Sequence, residues 1–247
     1  MSGLRLSWRL MRLSLVILLG TLLASGVSLL QRLLRRDLMP LRQRLTRWFM
    51  RRLSAALPFH VEVQGELPST PALWVSNHIS WSDIPLLGAL QPLSFLSKAE
   101  VSHWPVLGFL ARAAGTQFIQ RGAGDSGLVS ARLSEQLQRG RPLLIFPEGT
   151  TTEGIGVRTF HGRLLASAIE SGVPLQPVAI RYLRHGRPCP IAPFVGDDPM
   201  GAHLLRLLSA PKATVQIRLL PPIDSNGLNR NELARRSQQA VSEALER

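Results

Sequence analysis

Nineteen consecutive positions, residues 13–31, carry no charge and are dominated by Leu, Val and Ile, with Gly20 and Gly26 inside the run. A helix that crosses hydrocarbon needs about 17–25 such residues, so the run is just long enough. Arg5, Arg9 and Arg12 stand before it, and Arg32, Arg35 and Arg36 after it. With Arg42, Arg44, Arg47, Arg51 and Arg52 following, the heavier positive side is C-terminal. By the positive-inside tendency this keeps the following domain in the cytoplasm, at the inner (cytoplasmic) membrane. A secretory signal peptide is the competing reading, with residues 13–23 as its apolar core and Ala24-x-Gly26 as a cleavage site. That site is a poor one and a second basic, apolar segment follows it, so a retained anchor, spanning or re-entrant, is expected. In residues 38–57, Leu41, Leu45, Trp48 and Phe49 recur at helical spacing, with Arg42, Arg44, Arg47, Arg51 and Arg52 on the other face. This predicts a helix lying in the membrane interface, with Pro40 at the bend and Trp48 at headgroup depth.

The formal charge of +13 is concentrated in the same region. Residues 1–52 hold eleven Arg against the single acid Asp37, a net +10, which leaves +3 for the other 195 positions. Cations interleaved with apolar runs suit an anionic lipid surface, and no nucleic-acid partner is expected. Cys189 is the only cysteine, so no internal disulfide is possible, and no Cys/His cluster offers a metal site. No cofactor is expected.

From Pro58 onward short strand and helix patterns alternate. Strands are predicted at 60–64, 73–76, 93–97, 116–120, 143–146, 176–181 and 214–220. Helices are predicted at 126–138, with Asp125 or Ser126 as cap and Gly140 beyond its end, and at 163–171, stopping at Gly172. A last helix at 230–246 has Asn229 and Glu232 spaced as a capping box. Residues 184–211, rich in Pro, Gly and His, read as an irregular excursion. The fold class that follows is α/β: a mixed, mainly parallel sheet flanked by helices, with an N-terminal membrane-associated helical segment. Residues 1–57 form the anchor and basic amphipathic helix, and residues 58–247 the folded domain. In such sheets chemistry gathers where strands open into helices. Asn77-His78, Arg121 and Glu148-Gly149-Thr150 stand at three such ends.

Residues 76–85 read S-N-H-I-S-W-S-D-I-P. A His held by a carboxylate can take a proton from a hydroxyl near neutral pH. On one helix, five residues would separate His78 and Asp83 by about 140°. The pair therefore works only if His78 lies in a strand-to-helix turn, with Asp83 and Pro85 at the helix start. For an isolated His-x4-Asp spacing, a surface His and a capping Asp would be the favoured reading.

The surrounding motifs favour the pair. Asn77-His78-x4-Asp83 resembles the first block of the glycerolipid acyltransferase family, which contains the 1-acylglycerol-3-phosphate acyltransferases. Lys98-Ala99-Glu100, Pro105, Gly108 and Gly115 resemble the segment that follows. The stretch from Gly115 through Phe118 and Ile119 to Arg121 resembles the second block. Phe146-Pro147-Glu148-Gly149-Thr150 resembles the third, and Val173-Pro174 with Pro177-Val178 the fourth. The resemblance implies that His78 deprotonates an acceptor hydroxyl, which attacks the thioester of acyl-CoA or acyl-carrier protein without a covalent acyl-enzyme. Asp83 would orient His78, and Arg121 would bind an acceptor phosphate. Asn77, Glu148, Gly149 and Thr150 would shape the acceptor site. The implied partners are a lysolipid acceptor, the acyl donor and membrane lipid.

Two departures bear on the acceptor. The third block continues with Thr151-Thr152, where phosphatidate-forming members usually carry an Arg and then a Ser or Thr. His161 stands between Phe160 and Gly162, where the family tends to carry a Lys. Either Arg158 or Arg163 supplies the missing cation, or the headgroup is not a simple glycerol phosphate. A Thr-Thr third block resembles the members that acylate lyso-ornithine lipid. The expected acceptor is 1-acyl-sn-glycerol-3-phosphate, giving phosphatidic acid, with lyso-ornithine lipid as the alternative. A catalytically inactive membrane-binding protein of the same fold is the alternative from another class. The protease-like run Gly124-Asp125-Ser126-Gly127 lacks its partners in a β domain, and no G-x-S-x-G elbow is present.

Overall fold

The computed structural model describes residues 2–120 and 126–246. Helix α1, Ser2–Leu34, takes in the uncharged run and extends it at both ends. Its 33 residues measure about 50 Å, more than the hydrocarbon thickness of a bilayer. It is the one helix among the described residues that is long and apolar enough to cross a membrane. The chain reverses at Arg35, whose φ of 49° is left-handed, and Asp37 accepts a hydrogen bond from the Met39 N–H (2.9 Å). Pro40 then stands in the first turn of α2, Met39–Ala56.

Helix α2 folds back along α1 and also meets α3, Asp83–Gly88. Gly20 makes room for this approach, because an added Cβ would collide with the Phe49 ring and force it to move. The faces of α2 are shared out somewhat differently from the expectation. Arg44, Arg47, Arg51 and Arg52 are exposed, and Met50 is buried. Leu41 is exposed and Trp48 half-buried, with the Arg52 guanidinium 5.5 Å from the Trp48 ring.

Among the described residues, eight strands form one sheet. They are β1 (Phe59–Gln64), β2 (Leu73–Ser76), β3 (Ser94–Lys98), β4 (Gln117–Ile119), β5 (Leu143–Ile145), β6 (Leu175–Arg184), β7 (Arg187–Pro188) and β8 (Ala213–Leu219). The spatial order is β1-β8-β6-β2-β5-β3-β4, with β7 on β6. β6 is antiparallel to β8 and β7, and the other pairs are parallel. β2 and β5 are buried at every position, as strands covered on both faces must be. One apolar core unites one face of that sheet with α1, α2, α3 and α7 (Met200–Ser209) through Leu13, Ala56, Leu86 and Leu207. The other unites the opposite face with α5 (Ser126–Gln138), α6 (Ala166–Ser171) and α8 (Arg230–Glu246) through Leu133, Ala168 and Leu233.

The mixed α/β class is as expected, and the strands fall within a few residues of the predicted ones. The segment 184–211 is a correction: it is not irregular throughout. It holds the β7 hairpin and α7, Met200–Ser209. His203, Leu207 and Leu208 are buried at helical spacing, and a His in that stripe hides the pattern. A 3-10 turn, Gly162–Leu165, precedes α6, which stops at Gly172 with φ 67°. Half of the capping box forms. Asn229 accepts from the Asn231 and Glu232 N–H groups (3.0 Å each), while Glu232 pairs with Arg235 and Arg236.

Candidate active site

β2 ends at Ser76 and α3 begins at Asp83, so residues 77–82 make the turn that the pair needs. His78 Nδ1 lies 2.8 Å from Asp83 Oδ2. The same oxygen accepts the Ile79 N–H (2.7 Å) and the Ser80 N–H (3.0 Å). Asp83 Oδ1 accepts the Tyr182 hydroxyl at 2.5 Å. Asp83 is fully buried, and four donors compensate its desolvation. A carboxylate oxygen can only accept, so Nδ1 keeps its proton and donates it to this bond, which leaves Nε2 with the imidazole lone pair. Burial raises the Tyr182 pKa well above the ordinary tyrosine value and the nearby Asp83 charge adds to this, so its hydroxyl stays a donor. Ser82 bonds the same hydroxyl (2.8 Å).

Phe146 fixes the face of the imidazole, its ring stacked on His78 at 3.8 Å and 10°. Glu148 is 4% exposed and accepts the His78 N–H (2.8 Å) with one oxygen and the Arg158 N–H (2.9 Å) with the other. Burial raises its pKa, opposed by those backbone bonds. The Glu148 carboxylate thus braces the turn from below. Thr152 does so too, giving its N–H and hydroxyl to the His78 carbonyl (2.8 and 3.2 Å).

The expected site residues fall into three groups. His78, Gly149 and Thr150 line one large cavity of about 1540 Å³, and Gly149 has a φ of 70°. Asn77 is fully buried away from that cavity. Its amide donates to the Ile180 carbonyl (3.0 Å) and accepts the Ile180 N–H (2.9 Å), tying the turn to β6. Arg121, and Asp125 as a cap, lie outside the described residues. Of the compensating cations, Arg163 lines the cavity and Arg158 gives its N–H to Glu148. Thr151 donates its hydroxyl to the Phe194 carbonyl.

Sequence reasoning missed Tyr182, Phe146 as a stacking partner, and the contribution of residues 190–209. The Phe194 N–H donates to the Ile79 carbonyl (2.9 Å). Trp81 Nε1 donates to His203 Nδ1 (3.0 Å), and His203 Nε2 faces the Pro193 carbonyl (3.1 Å). Burial lowers the His203 pKa, with Arg206 adding to the effect, which suits an acceptor nitrogen. The one available signal was that Tyr182 is the only tyrosine in the chain. Among the described residues no His/Cys/Asp/Glu group could hold a metal.

A profile described as Acyltransferase matches residues 59–181. The lyso-ornithine lipid O-acyltransferase of Pseudomonas aeruginosa is 62% identical over 245 residues, 99% of this chain and 95% of that protein. Its namesake in Rhodobacter capsulatus is 34% identical, over 98% of this chain and 90% of its own. The 1-acyl-sn-glycerol-3-phosphate acyltransferase of Neisseria meningitidis is 36% identical over 66% of this chain and 65% of its own. Among solved structures, the 1-acyl-sn-glycerophosphate (LPA) acyltransferase PlsC of Thermotoga maritima shares the fold. Its TM-score is 0.73 at 22% identity, covering 100% of this chain and 97% of that one.

Proposed function

The chain belongs to the acyltransferase family, as an acyltransferase of lysolipids, and we propose that its acceptor is lyso-ornithine lipid, whose free hydroxyl it esterifies with a fatty acyl group. The observation that carries this choice is the 62% identity along nearly the whole chain to a protein of that name. Thr151 supports it. At a position where phosphatidate-forming members carry a cation, its hydroxyl is engaged by Phe194. Lyso-ornithine lipid, the alternative acceptor read from the sequence, thereby ranks ahead of lysophosphatidate.

In this reading His78 Nε2 takes the acceptor's hydroxyl proton as the oxygen attacks the thioester carbonyl of the donor, acyl-CoA or acyl-carrier protein. The tetrahedral intermediate collapses, the carbon–sulfur bond breaks, and the departing thiolate takes the proton from the imidazolium. Asp83 holds the tautomer and stabilises the imidazolium. Tyr182 and the two backbone N–H groups hold Asp83. Glu148, Asn77 and Thr152 fix the turn, while Gly149 and Thr150 border the bound acceptor. Residues 1–57 form the membrane anchor and residues 58–247 the acyltransferase domain. Leu4, Trp8, Leu15, Leu22, Leu29 and Leu33 of α1 are exposed and would meet lipid, with the domain on the cytoplasmic side of the inner membrane.

The test offers purified protein a labelled acyl thioester with either lyso-ornithine lipid or lysophosphatidate. Ornithine lipid is the expected major product. Faster formation of phosphatidic acid would overturn the acceptor.

A further inference from the structure

The two ends of the cavity differ in chemistry. One lies between α1, α2 and α4 (Leu107–Ala113), walled mainly by apolar residues such as Val27, Phe49 and Leu110; the one arginine there, Arg42, is bonded to Gln31, Ser28 and the Ala113 carbonyl. The other reaches around the sheet to α5, the 3-10 turn and the start of α8, where Arg132, Arg163 and Arg230 line it. These ends belong to the two opposite faces of the sheet. The 3-10 turn packs on both α5 and α8. Gly162 approaches α8 so closely that an added Cβ would stand 2.5 Å from the Arg230 carbonyl oxygen. Arg163 is therefore held beside Arg230, while Leu133, next to Arg132, shares a core with Leu165.

Among the described residues, none of these three guanidinium groups has a hydrogen-bond or ion-pair partner. The neighbouring acids are engaged elsewhere: Glu232 by Arg235 and Arg236, Asp198 by Arg206, and Glu148 by backbone. Unpaired guanidinium forks lining one cavity are suited to phosphate. The exposed apolar residues of α1 stand at the other end, on the side that a lipid acceptor would use. The opposite, cationic end is then left to a water-soluble carrier of the acyl group.

We propose that Arg132, Arg163 and Arg230 form the binding site for the acyl donor's carrier, gripping the phosphopantetheine phosphate that CoA and acyl-carrier protein share. The site rests on the transfer function proposed above. Its test replaces each arginine, and then all three, by Ala, and measures transfer from acyl-CoA, acyl-carrier protein and an acyl-N-acetylcysteamine thioester that has no phosphate. The donor KM is expected to rise about tenfold for each arginine removed. The acceptor KM should hold, and the preference for a phosphorylated donor over the phosphate-free thioester should collapse. Whichever carrier shows the loss is the one the site serves. A rise in acceptor KM with unchanged donor KM overturns the proposal, as does an unchanged preference for phosphorylated donors. Equilibrium binding of CoA and of holo-acyl-carrier protein separates the two readings. A native protein that binds neither overturns the site. One that binds a carrier through these arginines yet acylates no lysolipid overturns the function and leaves the site standing.

Discussion

Asp83 accepts from His78, Ile79, Ser80 and Tyr182 at once, so it is both the partner of the imidazole and the structural centre of the turn. His78→Ala is expected to lower the initial rate of transfer by about 10²–10⁴-fold, the usual contribution of a general base, while the protein still partitions into membranes. Tyr182→Phe keeps the ring and removes one donor from a buried carboxylate. A urea titration should show a loss of about 1–3 kcal/mol, with part of the activity retained. Glu148→Gln leaves an oxygen for only one of the two N–H groups that the carboxylate now serves. The other, on His78 or Arg158, is left without its acceptor, again at about 1–3 kcal/mol. His203 gives a pH test. Its pKa is lowered on folding, so the unfolded chain binds the proton more readily. Its stabilising contribution is complete above the ordinary His pKa of about 6.5 and is lost as pH falls through the lower folded value. Urea midpoints at descending pH should fall more steeply for the native protein than for His203→Asn.

Helix α1 is coupled to the domain through polar as well as apolar contacts. The Arg9 guanidinium is largely buried and donates to the Leu208 carbonyl (2.7 Å) and the Ala210 carbonyl (2.5 Å) at the C-terminal end of α7. That end carries the negative pole of the helix dipole. Arg9→Ala is expected to lower the thermal midpoint in detergent, with a loss of about 1.5–3 kcal/mol for a charged hydrogen bond. The same elements show what was legible in the sequence. Buried parallel strands are apolar runs bounded by turn residues, so β2 and β5 could be read directly. His78 and Asp83 are close in sequence, and their meeting needed only a turn. Tyr182 stands 99 residues beyond Asp83, and Ile180 stands 103 beyond Asn77, so only the pairing of β2 with β6 brings either to the site. Helix α7 escaped because Pro and Gly surround it and its buried face includes a polar residue, His203.

At the scale of the whole molecule, the sheet divides two environments. α1, α2, α3 and α7 cover one face and α5, α6 and α8 the other, and one cavity joins them past His78. In the reaction proposed above, this arrangement would let a lipid acceptor and a water-soluble donor reach one imidazole from different sides. The pairing of β1 with β8 has a consequence for synthesis. Phe59 is in register with Ala213, so the strand that follows the N-terminal helices finds its partner only after some 150 further residues have been made. At roughly 5–20 residues per second the ribosome takes about 8–30 seconds to deliver it. Throughout that interval the backbone of β1, with Val61 and Val63, is an open edge. Nascent chains stalled before residue 213 should therefore remain cleavable by protease near residues 59–64, and chains stalled far enough past residue 219 for β8 to clear the ribosome should resist.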